Sequence, residues 1–257
     1  MTQVIPSALI ELSLRPWGRQ RAGVIVDRTP ERIVELWPSF PLPGPNHVSL
    51  IRCAPGRVVP LVAEVRAVAA ARGLRCAWLL DPDAMPLDLP ERLAACGILP
   101  NEELDVMVLP ATAEVEAPAG VEVVDALRDA ATFAASEAVQ AAAFGEDVTP
   151  GQRERFEEAL ADPARHCFLA LVNGEAAGAG WATVHAGGVL MNGGAVAPPF
   201  RGRGVYRALV SERLALARRA GAPGLGTQAK PDTSGPILAR LGFTTVGRWR
   251  QHLDRAG

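Results

Sequence analysis

Residues 196–209 have the sequence VAPPFRGRGVYRAL and join an apolar, strand-like run to a segment with helical spacing of apolar residues. Gly202 and Gly204 allow the backbone to turn sharply and to approach a bound group closely. The N-terminus of the following helix favours an anion, and Arg201 and Arg203 add positive charge that reaches phosphate oxygens. The stretch therefore predicts a loop that binds a pyrophosphate group.

This loop differs from two common phosphate-binding patterns. It lacks the GxxxxGK[ST] sequence of a Walker loop. In the dinucleotide pattern GxGxxG, the third glycine would fall at Arg207. The loop is therefore predicted to bind neither a nucleoside triphosphate nor a dinucleotide.

The loop resembles motif A of the GNAT superfamily of acyl-CoA-dependent N-acyltransferases. That motif is Arg/Gln-x-x-Gly-x-Gly/Ala, and it follows a strand that ends in Val-x-Pro. Val196, Pro198, Arg201 and Gly204 match the motif, whereas Tyr206 stands where the family has Gly or Ala. A tyrosine at that position changes how closely the start of the helix approaches the cofactor, and it could pack beside it.

The resemblance covers about residues 120–253, because ARLGF at 239–243 is similar to the family's helix-then-strand ending. It implies acetyl-CoA as co-substrate, no metal, and a deprotonated amine that attacks the thioester without a covalent enzyme intermediate. The residues that it assigns to cofactor binding are Ala195, Val196, Arg201, Gly202, Arg203, Gly204, Val205, Tyr206 and Ser234.

In the family, the pantetheine arm lies where two parallel strands diverge. Gly193 and Gly194, in the strand before the loop, suit such a close backbone approach. The alternative is that Asn192-Gly193 forms a hairpin turn. We expect diverging strands because the apolar run continues straight into the loop. A backbone N–H there would polarise the thioester carbonyl.

The groups that transfer protons are less clear. Many family members protonate the leaving thiolate with a tyrosine where this chain has Leu238, and Pro231-Asp232 replaces the usual asparagine. Ser234 remains for the cofactor, although Ser234 and Asp232 also suit helix N-capping. A thiol with a pKa of about 8.5 departs as thiolate with modest help.

The catalytic residues are not identified by the sequence. Glu137, Glu146 and Asp147 lie in the region that is near the acceptor in related proteins, and His185 ends a strand beside the site. Glu137 and His185 are the weak candidates for the general base, and ordinary surface positions are the alternative for all four. Trp181 is expected in the core.

The chain contains an internal repeat. Residues 61–73 (LVAEVRAVAAARG) and 209–221 (LVSERLALARRAG) share six of 13 positions and both have helical spacing. Each is followed by a short strand, a loop with Pro-Asp, a short helix that ends in Gly, and a final strand. We therefore predict two copies of one α/β module. Cys53-Ala54-Pro55-Gly56 replaces the phosphate loop in the first copy, which is therefore predicted not to bind CoA.

The predicted domains are a degenerate GNAT-like domain at 1–112 and a GNAT N-acetyltransferase domain at 119–257. Residues 110–120, rich in Ala and Pro, form the linker. The predicted fold class is α/β (α+β), in which each module has a mixed, mostly antiparallel sheet flanked by helices. The first copy is expected to extend the sheet or to wall the substrate side of the second.

Composition limits the partners. The 257 residues are 49% hydrophobic and carry a net charge of -2, which predicts packed domains and does not favour nucleic acid. No apolar run reaches the roughly 18 residues of a membrane span, and no secretory signal is recognised, so we expect a cytoplasmic protein without membrane contact. The four cysteines form no CxxC pair and are expected to be buried and reduced. A monomer or a homodimer is expected.

Charge is unevenly distributed along the chain. Residues 120–199 hold 4 basic and 11 acidic residues, whereas residues 200–257 hold 11 basic and 3 acidic residues. This favours a cationic acceptor beside an anionic cofactor, and solvated helix faces are the alternative. The sequence thus predicts N-acetyl transfer from acetyl-CoA to a primary amine of a small molecule. The alternatives are an inactive acyl-CoA-binding or interaction module, and transfer of a larger acyl group.

Overall fold

The computed structural model describes residues 4–40 and 45–254. The helices are α1 (Ser7–Leu14), α2 (Val58–Ala70), α3 (Leu89–Ala95), α4 (Ala130–Phe144), α5 (Gln152–Leu160), α6 (Val205–Arg219) and α7 (Ser234–Arg240). The strands are β1 (Ile25–Arg28), β2 (Ile33–Leu36), β3 (His47–Ser49), β4 (Ala77–Leu80), β5 (Ile98–Pro110), β6 (Val121–Asp125), β7 (Arg165–Val172), β8 (Glu175–His185), β9 (Gly188–Val196), β10 (Gly224–Ala229) and β11 (Thr244–Asp254).

The described strands form one sheet in the order β1-β2-β3-β4-β11-β5-β10-β9-β8-β7-β6. Neighbouring strands are antiparallel except in two pairs, β3 with β4 and β9 with β10. These two parallel pairs occupy corresponding places in the two copies, since α2 connects the first pair and α6 connects the second. The predicted mixed, mostly antiparallel sheet and the two-module organisation are therefore confirmed.

The two copies exchange their final strands. β5, the last strand of the first copy, pairs with β10 of the second. β11, the last strand of the second copy, pairs with β4 of the first, and β5 and β11 pair with each other along most of their lengths. The sheet is thus continuous across the predicted domain boundary. The division into 1–112 and 119–257 stays a prediction, and residues 1–3, 41–44 and 255–257 of those ranges lie outside the described residues.

The first copy has no gap between its parallel strands at the place where the second copy has one. The backbone N–H of Cys53 donates to the carbonyl of Met85, and the N–H of Met85 donates to that of Ile51. Arg52 and Asp81 form an ion pair beside these bonds, at 2.6 Å. The chain segments that follow β3 and β4 are therefore bonded to each other, and the absence of CoA binding by this copy stays a prediction.

Helices α4 and α6 cover opposite faces of the second copy's sheet. Alternate residues of β7 divide between them, as the period of two of a strand requires. Phe168 and Ala170 pack with Leu209 of α6, whereas Cys167 and Leu169 pack with Val139 of α4. A ligand that passes between the strands of this half therefore moves from the α6 face to the α4 face.

Asp129 separates a single 3₁₀ turn, Ala126–Arg128, from α4. Asp129 is extended, and its carboxylate accepts the backbone N–H of Thr132 at 2.7 Å, which caps α4. This bond also lowers the pKa of Asp129. Gly145, at φ 71°, ends α4 in the left-handed conformation. The caps fix the length of the helix that carries Glu137.

Two further expectations concern the chain as a whole. All four cysteines are free thiols; Cys53, Cys76 and Cys167 are buried as predicted, whereas Cys96 is only half-buried. Among the described residues, no helix combines the length and the hydrophobicity that crossing a bilayer requires.

Candidate active site

β9 and β10 diverge soon after they meet. They pair in parallel only where Val189 and Leu190 face Leu225 and Gly226. Beyond this point the hydroxyl of Thr227 donates to the carbonyl of Met191 at 3.2 Å. The gap opens into a cavity of about 180 Å³, called the small cavity below. It is lined by Met191, Asn192, Gly193, Gly194, Tyr206, Arg213, Thr227, Gln228 and Ser234.

The strand on one side of this gap carries a bulge, not the hairpin turn that was the alternative. In the ladder with β8, Ala195 faces Ala179 and Asn192 faces Trp181, so Gly193 and Gly194 have no partner in register. A Cβ at Gly194 would lie 2.9 Å from the ring of Tyr206. Glycine is needed here because side chains approach the bulge closely.

The predicted phosphate loop precedes α6. Gly202 and Gly204 have φ values of 76° and 78°, the left-handed region that favours glycine. Nothing lies within 4 Å of a Cβ built at Gly202, whereas one built at Gly204 would lie 2.8 Å from Pro118 of the linker. No side chain in the described ranges caps the start of α6, so its first N–H groups face outward. The loop thus fits an anionic group such as a pyrophosphate.

The two loop arginines differ in their contacts. The guanidinium of Arg201 donates to the carbonyl of Ala143, at 3.0 Å, and to that of Val196, at 3.3 Å. It ties the loop to the end of α4. Arg203 is exposed and lies over the ring of Phe200, 5.4 Å from its centroid. Arg203 is therefore the freer of the two to contact a phosphate, and phosphate binding by Arg201 stays a prediction.

The other predicted cofactor residues fall into two groups. Tyr206 and Ser234 line the small cavity, and the Ser234 hydroxyl accepts the backbone N–H of Lys230 at 2.9 Å instead of capping α7. Ala195 and Val205 are buried, and the half-buried Val196 packs against the same core as Val205. The structure thus brings Tyr206 and Ser234 together and leaves Ala195 and Val205 as backbone and packing positions.

Arg213 was not singled out by the sequence, yet it lines the small cavity. Its side chain is fully buried, Nε donates to the carbonyl of Leu209 at 2.8 Å, and one terminal nitrogen has no partner among the described residues. Burial lowers the pKa of Arg213. Its position four residues after Leu209, on the apolar face of α6, is the sequence feature that indicates a buried arginine.

A second cavity, the large cavity, lies on the α4 face and measures about 580 Å³. Its walls come from both copies: Trp17, Trp37 and His47 from the first, and Gln140, Trp181 and His185 from the second are among them. The large and small cavities share Asn192, Gly193 and Gln228. They therefore meet at the bulge, one from each face of the sheet. The first copy both extends the sheet and walls the large cavity.

The weak general-base candidates line the large cavity but are differently placed. Both carboxylate oxygens of Glu137 accept hydrogen bonds from Arg155, at 2.7 Å each. His185 faces Gly188 in the ladder, four residues and roughly 13 Å along β9 from Asn192. Glu146 and Asp147 are exposed in the turn after α4. None of these groups has both a free side chain and a position at the bulge.

Trp181 is only partly in the core. One side of its ring packs edge-on against Phe133, with centroids 5.8 Å apart. The other side lines the large cavity beneath the guanidinium of Arg165, 4.3 Å from the ring centroid. Burial and the charge of Arg21 lower the pKa of Arg165 to about 10, so Arg165 is still charged at neutral pH.

Three histidines give the fold a pH dependence. Burial lowers the pKa values of His166, His185 and His252 below the ordinary value of about 6.5. At a pH between the lowered pKa and the ordinary one, the unfolded chain binds more protons than the folded chain. The free energy of unfolding therefore falls as the pH drops below about 6.5. We expect His252→Gln, at a 2% exposed position, to reduce this fall. Denaturant unfolding at several pH values measures the free energy of unfolding of both proteins. An equal dependence of this free energy on pH in His252→Gln and in the wild type would contradict the prediction.

Comparison with known proteins finds similarity to acetyltransferases. Residues 132–243 match the model of the Acetyltransferase (GNAT) family. A GCN5-related N-acetyltransferase from Kribbella flavida shares 18% identity at a TM-score of 0.70, over 99% of this chain and 98% of that one. A GCN5-related N-acetyltransferase from Sphaerobacter thermophilus shares 20% identity at a TM-score of 0.62, over 96% of this chain and 86% of that one.

A tandem GNAT protein from the clavulanic acid biosynthesis pathway shares 17% identity at a TM-score of 0.60. The alignment covers 98% of this chain and 89% of that one, so the likeness spans both copies. No curated protein sequence matches the chain significantly. Residues 132–243 are therefore similar to the GNAT acetyltransferase family, and the whole chain has the fold of these solved structures.

Proposed function

We propose that the protein transfers the acetyl group of acetyl-CoA to the primary amine of a small acceptor by direct attack. The observation that carries the proposal is that the two cavities meet at Asn192, Gly193 and Gln228. A thioester reaching through the small cavity and an amine lying in the large cavity would meet at this point. No covalent attachment to the protein is needed.

The phosphate loop holds the cofactor in this proposal. The backbone of Gly202 and Gly204 and the open N-terminus of α6 bind the pyrophosphate, and Arg203 adds positive charge. Acetyl-CoA supplies an acetyl group activated as a thioester. The bulge places the backbone of Gly193 and Gly194, which have no register partner on β8, beside the small cavity. A backbone N–H there would polarise the carbonyl that the amine attacks.

The leaving thiolate departs into polar surroundings. Leu238 is 1% exposed and stands where many relatives of the family have tyrosine. The hydroxyls of Tyr206 and Ser234 and the charge of Arg213 line the small cavity and would stabilise the thiolate. His185 is unprotonated at neutral pH, since burial lowers its pKa, and it would accept the amine's proton through water in the large cavity.

The second candidate function is an acyl-CoA-binding or interaction module without turnover. The observation that favours it is Tyr206, whose ring lies at the bulge where the family motif has Gly or Ala. Leu238 adds to this because it removes the usual acid. Both candidates require cofactor binding, and thiol release in the presence of an amine distinguishes them. Transfer of a larger acyl group would be detected by the same assay with longer acyl-CoA esters.

Calorimetric titration of acetyl-CoA into the wild type and into Gly202→Glu tests the cofactor site. Position 202 has no atom within 4 Å of a new Cβ, so the carboxylate meets no neighbour and repels phosphate, while the left-handed φ of 76° strains the loop. We expect affinity to fall by about a hundredfold or more, because like charges in contact cost several kcal/mol. Gly73→Glu is the matched control, since Gly73 is also left-handed and open but follows α2. Equal affinity in wild type and Gly202→Glu would overturn the proposed cofactor site.

A further inference from the structure

We propose that the large cavity binds an amine that also carries a carboxylate, and that Arg165 and Arg21 hold this carboxylate. The inference rests on the proposed function, in which the large cavity takes the acceptor, and it names the acceptor's chemical class. It differs from the cationic acceptor expected from the charge of residues 120–199. That expectation counted charges along the chain, whereas the cavity depends on which of them are already paired.

Arg165 is a buried cation without a counter-ion. It lies on β7, is 7% exposed, and its guanidinium packs on two aromatic rings, 4.8 Å from Trp37 and 4.3 Å from Trp181. Within the described ranges, no carboxylate oxygen lies within 4 Å of its nitrogens and no group accepts a hydrogen bond from them. Since buried charges are normally paired, this arrangement indicates an anion from outside the chain.

Arg21 is a second cation without a counter-ion in the described ranges, and it is half-buried. Its guanidinium lies 5.2 Å from the centroid of the same Trp37 ring, and its buried Nε has no partner among the described residues. Burial is the main cause that lowers its pKa. Arg21 comes from the first copy and Arg165 from the second. Two guanidinium groups thus flank one aromatic wall of the large cavity, which both residues line.

The other arginines of the large cavity are neutralised. Arg155 bonds to Glu137 at 2.7 Å, and Arg19 bonds to Asp162 at 2.5 Å. These pairs show that the chain supplies carboxylates to buried arginines elsewhere on the same wall. The absence of such a partner for Arg21 and Arg165, in the described part of the chain, is therefore specific to these two positions.

The nearby acids are engaged with other groups. Glu158 accepts hydrogen bonds from the Trp37 indole N–H, at 2.6 Å, and from the Ser39 hydroxyl, at 2.8 Å. Glu35 contacts His47 at 3.0 Å. Glu158 acts to raise the pKa values of both free arginines at a distance without contacting them, and Glu35 acts in the same way on Arg21. A guanidinium has a planar fork of donors that matches a carboxylate, so a bound carboxylate fits the unmet hydrogen bonds.

The register of the sheet sets the distance between the two ends of the acceptor. Arg165 faces Thr183 on β8, and Thr183 faces Leu190 on β9. Two strand spacings, about 10 Å, therefore separate the backbone of Arg165 from the strand that carries the bulge. The bulge begins two residues further along β9, at Asn192. We therefore expect the acceptor's amine and carboxylate to be separated by several bonds, as in an ω-amino acid, and the volume of about 580 Å³ accommodates a small molecule of that length.

Calorimetry without acetyl-CoA tests the inference separately from acetyl transfer. The probes are ε-aminocaproate and hexylamine, which share an amine and a chain of similar length but differ in the carboxylate. We expect ε-aminocaproate to bind about tenfold or more tightly, because hydrogen bonds between charged partners are the strong ones. We expect β-alanine, which is shorter, to bind more weakly than ε-aminocaproate. Failure of ε-aminocaproate to bind more tightly than hexylamine, including no binding, would overturn the inference.

Variants of Arg165 and Arg21 test whether these two residues cause the tighter binding of the carboxylate-bearing probe. Arg165→Gln and Arg21→Gln are expected to lose the preference for the carboxylate and to leave hexylamine binding unchanged. Arg153→Gln, on the exposed side of α5 with a side chain 86% exposed, is the matched control. If Arg165 had only a structural role, Arg165→Gln would have a lower melting temperature than the wild type. If Arg165 is an unpaired buried charge, its removal is expected to keep or raise the melting temperature. Retention of the carboxylate preference in Arg165→Gln would overturn the assignment. Gly202→Glu tests the cofactor site independently, so the two failures are distinguishable.

Discussion

Replacing Trp78 with alanine is expected to lower the melting temperature of both copies together. Trp78 lies on β4, is 0% exposed and belongs to the hydrophobic core of the first copy. Truncation of a buried Trp to Ala costs about 3–5 kcal/mol. For a chain of this size, that corresponds to a fall of roughly 6–20 °C in melting temperature.

The effect is expected to reach the second copy through the exchanged strands. Trp78 faces His252 of β11, which ends the second copy. β11 in turn pairs with β5, and β5 pairs with β10 beside the candidate active site. Loss of packing under β4 therefore loosens a strand on which the other copy depends. We expect one cooperative unfolding transition although the sequence contains a repeat.

Scanning calorimetry combined with acetyl-CoA binding at increasing temperature measures this. Trp78→Phe is the matched control, because it retains an aromatic ring and removes an indole N–H that is buried without a partner among the described residues. Val59→Ala, at a position 66% exposed on α2, controls for changes in the same copy. Two separate transitions, of which only the lower moves in Trp78→Ala, would show that the copies unfold independently.

Local signals in the sequence predicted local structure well. Asn173-Gly174 is a residue pair typical of tight hairpin turns, and both residues have positive φ values between β7 and β8. The apolar run before the phosphate loop predicted a strand that continues past Gly193, and β9 does so with a bulge. In each case the deciding physics lies within a few residues, in backbone conformation or in the period of apolar side chains.

Pairing between distant segments could not be predicted in the same way. The repeat predicted a final strand for each copy, and β5 and β11 are those strands. Nothing in their alternation distinguishes pairing within a copy from exchange between copies, because both arrangements bury the same faces. The hydrogen bond from Arg201 to the carbonyl of Ala143 could not be predicted for the same reason, because α4 is far from Arg201 in the sequence.

The large cavity shows which part of the candidate site could not be predicted from the sequence. Its walls combine Trp17, Trp37 and His47 of the first copy with residues of the second, and no sequence prediction covered the first 50 residues in detail. Charge counting gave an acidic region at 120–199, but a buried pair neutralises Glu137. The charge that a ligand meets depends on which partners the fold supplies. Only the three-dimensional arrangement shows this.

Replacing Arg155 with alanine is expected to destabilise the fold by about 3–5 kcal/mol, because it leaves a carboxylate buried without a partner. Arg155 is 2% exposed and donates to both oxygens of Glu137. It also donates to the carbonyls of Ser39 and Thr149, each at 2.9 Å, and to that of Pro150 at 2.5 Å. One guanidinium thus joins α4, α5 and a loop of the first copy. Denaturant unfolding measures the loss.

Glu137→Gln separates this structural role from catalysis by Glu137. The amide keeps the shape of the carboxylate but leaves the guanidinium of Arg155 buried without a counter-ion, so we expect a loss of stability here too. The double variant Arg155→Met with Glu137→Leu is expected to recover part of it, because both charges leave the interior together. Arg153→Ala, in an exposed pair with Glu157, is expected to change stability by no more than about 0.5 kcal/mol.

The kinetic result decides between the two roles. If Glu137 only neutralises Arg155, thiol release by Glu137→Gln should be retained at temperatures where the variant is folded. A Glu137→Gln protein that is as stable as the wild type but loses turnover across the pH range would identify Glu137 as the base. That outcome would require the carboxylate to leave Arg155 when the acceptor binds, because both of its oxygens are engaged in the structure described here.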